Sequence, residues 1–99
     1  FRFLGYLPID AQERIRAIRQ MESFSAKQNC TQVFIETPYR NNQLLEMISR
    51  TCQPGTLLCI AADLTSGNEF VQTKTIAEWK KAPPDLHKRP VIFCLLSER

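Results

Sequence analysis

Short apolar runs bounded by polar or turn-forming residues predict three strands, at positions 33–35, 56–62 and 91–96. Uninterrupted apolar runs of this length are typical of buried strands, and we expect the strand at 33–35 to be buried on both faces. Residues 69–76 instead alternate apolar and polar side chains, which predicts a less buried, antiparallel strand. An aromatic-rich segment at 1–7 predicts a further strand, in which Gly5 permits a bend.

Helical spacing of apolar residues predicts a first helix that begins after Asp10. Asp10 and Glu13 have the spacing of a capping box, although Asp replaces the usual Ser or Thr. The apolar positions that we expect to be buried are Ile15, Ile18, Met21 and Phe24. The intervening arginines, Arg14, Arg16 and Arg19, should point mostly to solvent, and contact with phosphates is the alternative.

A second helix is predicted at about 42–50, with Asn41 or Asn42 as its N-cap. Its buried stripe comprises Leu44, Leu45, Met47 and Ile48. One or two further helical turns at 77–81 carry Trp79. The predicted order is therefore β-α-β-α-β-β-α-β. A strand–helix–strand unit over 33–62 favours a right-handed crossover with parallel pairing of its strands. We predict an α/β fold bordering on α+β, with a mixed sheet of about five strands packed against helices.

Length and composition indicate one soluble globular domain. The chain has 99 residues, a net charge of +3 and no apolar run that could span a bilayer, and we expect a cytoplasmic protein with no membrane partner. It begins at Phe1, so we interpret it as a piece of a longer protein or a processed chain. The four cysteines include no C-x-x-C pair, so no metal site is predicted. Buried, reduced thiols are expected, notably Cys59 and Cys94 within apolar runs.

Candidate chemistry is concentrated where the predicted strands end. Glu36, Asp63 and Glu69 each flank a strand end. Parallel neighbours would place Glu36 and Asp63 on the same rim of the sheet, where carboxylates serve acid–base chemistry or hydrogen-bond a ribose. The alternative for each is a carboxylate satisfied by backbone amides of the adjacent turn.

Arg40 has the fork geometry for a phosphate or carboxylate, or it forms a salt bridge to Glu36. Tyr39 and Trp79 either stack on a base or contribute to packing. His87 has no marked partner, and neither a Walker A loop nor a dinucleotide-binding glycine motif is present. Catalytic residues therefore remain unknown from the sequence.

Three motifs occur in register along almost the whole chain: FLGYLP at 3–8, IETPYR at 35–40, and ADLT at 62–65 followed by Glu69. Together they resemble the tetrapyrrole (corrin/porphyrin) methylase superfamily. The branch with the greatest resemblance is the small-subunit ribosomal RNA cytidine 2′-O-methyltransferases. Each motif is weak by itself, and the three in order are more specific.

The resemblance implies a C-terminal domain of a two-domain methyltransferase whose cofactor is S-adenosyl-L-methionine. The cofactor would bind in a cleft shared with a missing N-terminal domain. The implied cofactor-binding residues are Glu36, Thr37, Asp63, Leu64 and Thr65, with Glu36 and Leu64 lining the adenosine pocket. The implied substrate-binding residues are Tyr39, Arg40 and Glu69. A homodimer is also implied.

Two departures leave the acceptor open. Tyr39 replaces the usual His of the RNA branch, and Ser66 replaces a Lys. The acceptor is ribosomal RNA ribose if the branch resemblance holds, or a tetrapyrrole as elsewhere in the superfamily. The alternative class is a non-catalytic RNA-binding module. It would hold phosphates through basic residues, namely Arg14, Arg16, Arg19, Lys88 and Arg89, and its affinity would depend steeply on salt.

Overall fold

The computed structural model describes residues 1–97 and contains the eight elements in the predicted order. The elements are β1 (Arg2–Tyr6), α1 (Ala11–Gln28), β2 (Gln32–Ile35), α2 (Asn41–Thr51), β3 (Leu57–Ala62), β4 (Phe70–Thr75), α3 (Ile76–Lys81) and β5 (Val91–Leu96). No helix within this described part is both long and apolar enough to cross a membrane.

The five strands form one mixed sheet in the order β1-β2-β5-β3-β4. β1 pairs with β2 in parallel, and the other three pairings are antiparallel. The predicted α/β class with a five-stranded mixed sheet is therefore confirmed, as is the antiparallel pairing of β4. The predicted parallel pairing of β2 with β3 is wrong, because β5 returns from the end of the chain and lies between them.

The hydrophobic core lies on one face of the sheet. Ile18 from α1, Ile48 from α2 and Trp79 from α3 belong to a single buried cluster with inward-facing strand residues. At its centre the rings of Phe34 and Phe93 stack with their centroids 5.4 Å apart. Because every described helix contributes to this cluster, the opposite face of the sheet has no helical cover within residues 1–97.

We call this uncovered side of the sheet the open face. Two expectations about burial are wrong because of it. Val33 and Ile35 are only half-buried, so the expectation that their strand is buried on both faces is wrong. Cys59 and Cys94 are also half-exposed rather than buried. Side chains alternate between faces along a strand, and the helices cover only the face that carries Phe34.

The first helix begins as predicted, since the Asp10 carboxylate accepts a hydrogen bond from the Glu13 amide at 3.1 Å. Its buried stripe differs from the prediction. Arg14 is buried, with 3% of its surface exposed, whereas Ile15 and Phe24 are half-buried. The expectation that Arg14 faces solvent is therefore wrong, and the reason is an ionic partner on β2 described below.

The second helix has Arg40, not an asparagine, as its N-cap, and no side chain caps it. Asn41 is its first helical residue and is fully buried. The Asn41 amide donates hydrogen bonds to the carbonyl oxygens of Leu86 and Arg89 at 3.2 and 2.6 Å. Asn41 thus fixes the proline-rich segment that leads into β5.

Gly5 permits the predicted irregularity, with φ of +68° beside a register shift in β1.

Candidate functional site

The polar segments that follow β2 and β3 lie at one edge of the sheet. Ile35 at the end of β2 pairs with Ile92, and Ala62 at the end of β3 pairs with Val91. The first residues of β5 therefore lie between the two strand ends. The expectation that Glu36 and Asp63 share a rim is confirmed, although the strands are separated by β5 rather than adjacent. Tyr6, paired with Ile35, adds the end of β1 to this rim.

Glu36 is held by a buried ion pair. Its Oε2 accepts a hydrogen bond from Arg14 Nη2 at 2.6 Å, and the two side chains are 2% and 4% exposed. Its Oε1 accepts from the Thr37 amide at 2.7 Å. Arg14 also donates from Nε to the Pro8 carbonyl at 2.8 Å. Glu36 is thus fixed by α1 and by the turn after β2, so its primary role in this fold is to hold the rim together.

Arg40 and Tyr39 lie at the outer side of the same turn. Arg40 Nε approaches Glu36 Oε1 at 3.4 Å, which is a long contact from a side chain that is 37% exposed. Tyr39 is 68% exposed, and its ring meets His87 edge-on with centroids 5.8 Å apart. Both side chains therefore remain accessible to a ligand, whereas Trp79 is buried and donates its indole N–H to the Leu58 carbonyl at 2.8 Å.

The turn after β3 is fixed by a second ion pair. Arg89 Nε contacts Asp63 Oδ2 at 2.5 Å, and Arg89 Nη2 donates to the Asn68 carbonyl at 3.0 Å. Asp63 and Thr65 both have positive φ, at 51° and 65°. Asp63 therefore serves the local structure, which was the alternative to a role in binding. Its partner, however, is a guanidinium rather than a backbone amide of the adjacent turn.

Glu69 closes the same turn, because its Oε1 accepts the Thr65 amide at 2.8 Å. This contact matches the alternative of a carboxylate that bonds a neighbouring backbone amide. Between Asp63 and Glu69, which these contacts fix, the Leu64 side chain projects outward and is 44% exposed. The turn thus presents an apolar residue at the rim.

A groove of about 390 Å³ runs along the rim on the open face. Its lining residues are Tyr6, Ile35, Glu36, Pro38, Ala61, Leu64, Pro90, Val91 and Ile92. The walls are mainly apolar, and Glu36 is the one carboxylate among them. Its size is within the range of pockets that hold small molecules or cofactors.

Of the eight predicted site residues, only Glu36 and Leu64 line the groove. The others lie around it: Thr37, Asp63, Thr65, Tyr39, Arg40 and Glu69. The residues that sequence reasoning missed are apolar strand residues, notably Ile35, Ala61 and Ile92, which are indistinguishable from core positions by residue type. Tyr6 lies within the first motif, FLGYLP, and its place in that motif was the sequence signal that could have identified it as a groove residue.

The groove has the chemistry of a binding site rather than of a nucleophilic centre. Apolar walls favour a flat apolar ring, and few polar groups are needed to orient it. Glu36 already accepts three hydrogen bonds, counting the long one from Arg40, out of about four that a carboxylate can accept. Its side chain is only 2% exposed, so the carboxylate is taken up by these contacts and the groove offers mainly apolar surface to a ligand.

A larger groove of about 620 Å³ lies on the helical side of the molecule, between α2, α3 and the proline-rich segment. Its lining includes Leu45, Glu46, Arg50 and Asp85, with the buried Trp79 at its base, and none of the eight predicted site residues. The Glu46–Arg50 pair there is 3.9 Å apart and well exposed, as expected for a solvated surface. We therefore place the candidate site at the rim.

Comparisons with known proteins give a structural match. No family model and no curated protein matches the sequence. The structure is similar to the crystal structure of the methyltransferase CobJ, with a TM-score of 0.55 and 14% sequence identity. The match covers 98% of this chain and 41% of the CobJ chain. The chain therefore shares the fold of part of the CobJ structure and spans about two fifths of that chain's length.

Proposed function

We propose that this chain is the C-terminal domain of a methyltransferase that uses S-adenosyl-L-methionine, and that its rim groove forms one wall of the cofactor cleft. The proposal rests on one observation above all. The turn after β2 and the turn after β3, which carry the predicted cofactor residues, border a single apolar groove. The fold likeness to a methyltransferase and the motif resemblance support the same assignment.

The residues present fit the adenosine part of such a cofactor. Leu64 and Ile92 offer apolar surface to the adenine ring, and Glu36, buried against Arg14, would hold the turn after β2 in place beside it. Thr37, Asp63 and Thr65 would act indirectly, by fixing the two turns. When bound, S-adenosyl-L-methionine supplies an electrophilic methyl group. The role of the protein would be to hold and orient the two reactants in the absence of water.

For the acceptor we now favour a tetrapyrrole over ribosomal RNA. Two of the five cations that the RNA hypothesis used are already engaged, since Arg14 is buried against Glu36 and Arg89 is paired with Asp63. Tyr39 and Arg40 remain accessible, and we propose that they contact the acceptor, with Glu69 supporting the neighbouring turn. An N-terminal domain and a second copy of the protein remain the proposed partners.

Calorimetric titration of the full-length protein with S-adenosyl-L-methionine tests the cofactor assignment. Leu64→Asp places a charge in the groove, and we expect it to weaken binding at least about tenfold. Val71→Asp is the matched control, because Val71 is also an exposed apolar residue, 55% exposed, and does not line the groove. Equal affinity in both variants would contradict the placement of the cofactor.

Transfer of a labelled methyl group tests the acceptor. The full-length protein is incubated with labelled cofactor and either tetrapyrrole precursors or ribosomal subunits. We expect label in the tetrapyrrole fraction. Label in ribosomal RNA, with affinity that falls steeply as salt rises, would favour the RNA branch instead. The isolated chain should bind the cofactor weakly, and submicromolar affinity for it would show that the cleft needs no second domain.

A further inference from the structure

Two cysteines lie directly opposite each other on neighbouring strands of the open face. Cys59 in β3 and Cys94 in β5 are Cα partners in the antiparallel ladder. Both are half-exposed. Their side chains point away from the core, because each lies between two core-facing residues of its strand. The sheet therefore brings together two thiols that are far apart in the sequence.

The hydrogen-bond pattern indicates the distance between these two residues. The Asp63 amide donates to the Pro90 carbonyl at 3.0 Å, so these two opposed residues have the geometry of a hydrogen-bonded pair. Such pairs recur at every second residue along an antiparallel ladder, so Cys59 and Cys94 form the same kind of pair. The Cα atoms of such a pair are about 5.5 Å apart, within the range of about 4.4–6.8 Å that disulfides join. Its Cβ atoms are about 5–5.5 Å apart and must approach to about 4 Å, so a small local shift of the two strands accompanies formation of the bridge.

The other two cysteines have no comparable partner among the described residues. Cys52 is buried, and burial together with the nearby Glu22 carboxylate raises the pKa of its thiol. Cys30 precedes β2, and its thiol contacts the Thr31 carbonyl at 3.7 Å. Burial, and then the neighbouring Cys59 thiol, raise the pKa of Cys94. Attack by the Cys94 thiolate should therefore be slow at neutral pH and faster as the pH rises.

We propose that Cys59 and Cys94 form a modification site, a cross-strand dithiol that a low-molecular-weight disulfide converts into an intrachain disulfide. One cysteine loses its proton and attacks a sulfur of the reagent, which gives a mixed disulfide and releases one reagent thiol. The second cysteine then loses its proton, attacks the first and releases the other reagent thiol. The protein is oxidised by two electrons, and the reagent is reduced to two thiols.

The test treats the folded full-length protein with oxidised glutathione between about pH 7 and pH 9. After an acid quench, mass spectrometry and peptide mapping identify the products. We expect a loss of about 2 Da, with the cross-link assigned to Cys59 and Cys94, and a rate that increases with pH. Cys30 and Cys52 should remain free for alkylation after the protein is unfolded.

A Cys30→Ser/Cys52→Ala variant keeps only the proposed pair and should form the bridge at the wild-type rate. Cys59→Ser and Cys94→Ser should each form none. If a serine variant does not fold, peptide mapping of the wild-type protein decides the question. Glutathione adducts that persist on both thiols, cross-linked dimers, or a bridge to Cys30 or Cys52 would each overturn the proposal.

Discussion

Replacing Arg14 by Met should destabilise the fold far more than any other loss of a positive charge from α1. Arg14 and Glu36 are 4% and 2% exposed, and their charged atoms are 2.6 Å apart. Removal of the guanidinium leaves a buried carboxylate with the Thr37 amide and the long contact from Arg40. Breaking a buried pair in this way costs about 3–5 kcal/mol, compared with about 0.2–1 kcal/mol for an exposed pair.

Urea unfolding at 25 °C, followed by the fluorescence of the single tryptophan, measures this loss. Arg16→Met is the matched control, because Arg16 is exposed on the same helix and should change stability by less than about 0.5 kcal/mol. The double variant Arg14→Met/Glu36→Leu should be more stable than Arg14→Met, since it also removes the unpaired charge.

A loss below about 1 kcal/mol in Arg14→Met would refute this reasoning, because it would mean that water reaches Glu36 and solvates it. Should Arg14→Met fail to fold, the double variant decides the matter. Recovery of a folded protein on removal of Glu36 would support the buried charge as the cause, and failure of both variants would indicate that Arg14 is needed for packing instead.

Trp79→Phe should destabilise the protein by about 1–3 kcal/mol, because the buried Leu58 carbonyl loses its donor. Since this variant lacks the tryptophan, its urea unfolding and that of the unchanged protein are followed by circular dichroism, and a change below about 0.5 kcal/mol would count against that role. Gly5→Ala should cost about 1–2 kcal/mol, since φ of +68° disfavours any residue with a Cβ, and an unchanged midpoint would mean that the β1 irregularity relaxes. Acid should weaken α3, because the Thr75 amide and hydroxyl lower the pKa of Glu78 below 4.5. Because the pKa of Glu78 is lowered in the folded state, this stabilisation is present above about pH 4.5 and is lost as the pH falls further. Glu78→Gln should therefore flatten the acid limb of a curve of stability against pH. An acid limb identical to that of the unchanged protein would contradict the capping contact.

The two ion pairs explain how a small domain maintains an open groove. Arg14–Glu36 fixes the turn after β2, and Arg89–Asp63 fixes the turn after β3. Neither pair fills the space between the turns, which is lined by residues such as Ile92 and Leu64. A ligand would therefore find preformed walls, which reduces the entropy that is lost when it binds.

The sequence by itself determined the features that depend on local patterns. The order of elements, the Asp10 cap, the bend at Gly5 and the alternating strand β4 all follow from periodicity and from residues close together in the chain. Its motifs also identified the two turns that border the groove, although six of the eight residues predicted from them lie around the groove rather than in it.

Only the tertiary structure decided which partners come together from distant parts of the chain. The position of β5 between β2 and β3, the absence of helices on one face of the described sheet, and the pairing of Arg14 with Glu36 all depend on contacts that local patterns do not encode. The groove walls were missed for the same reason. An apolar residue such as Ile92 has the same local pattern in a core and in a binding site, and only the packing of the whole sheet leaves it exposed.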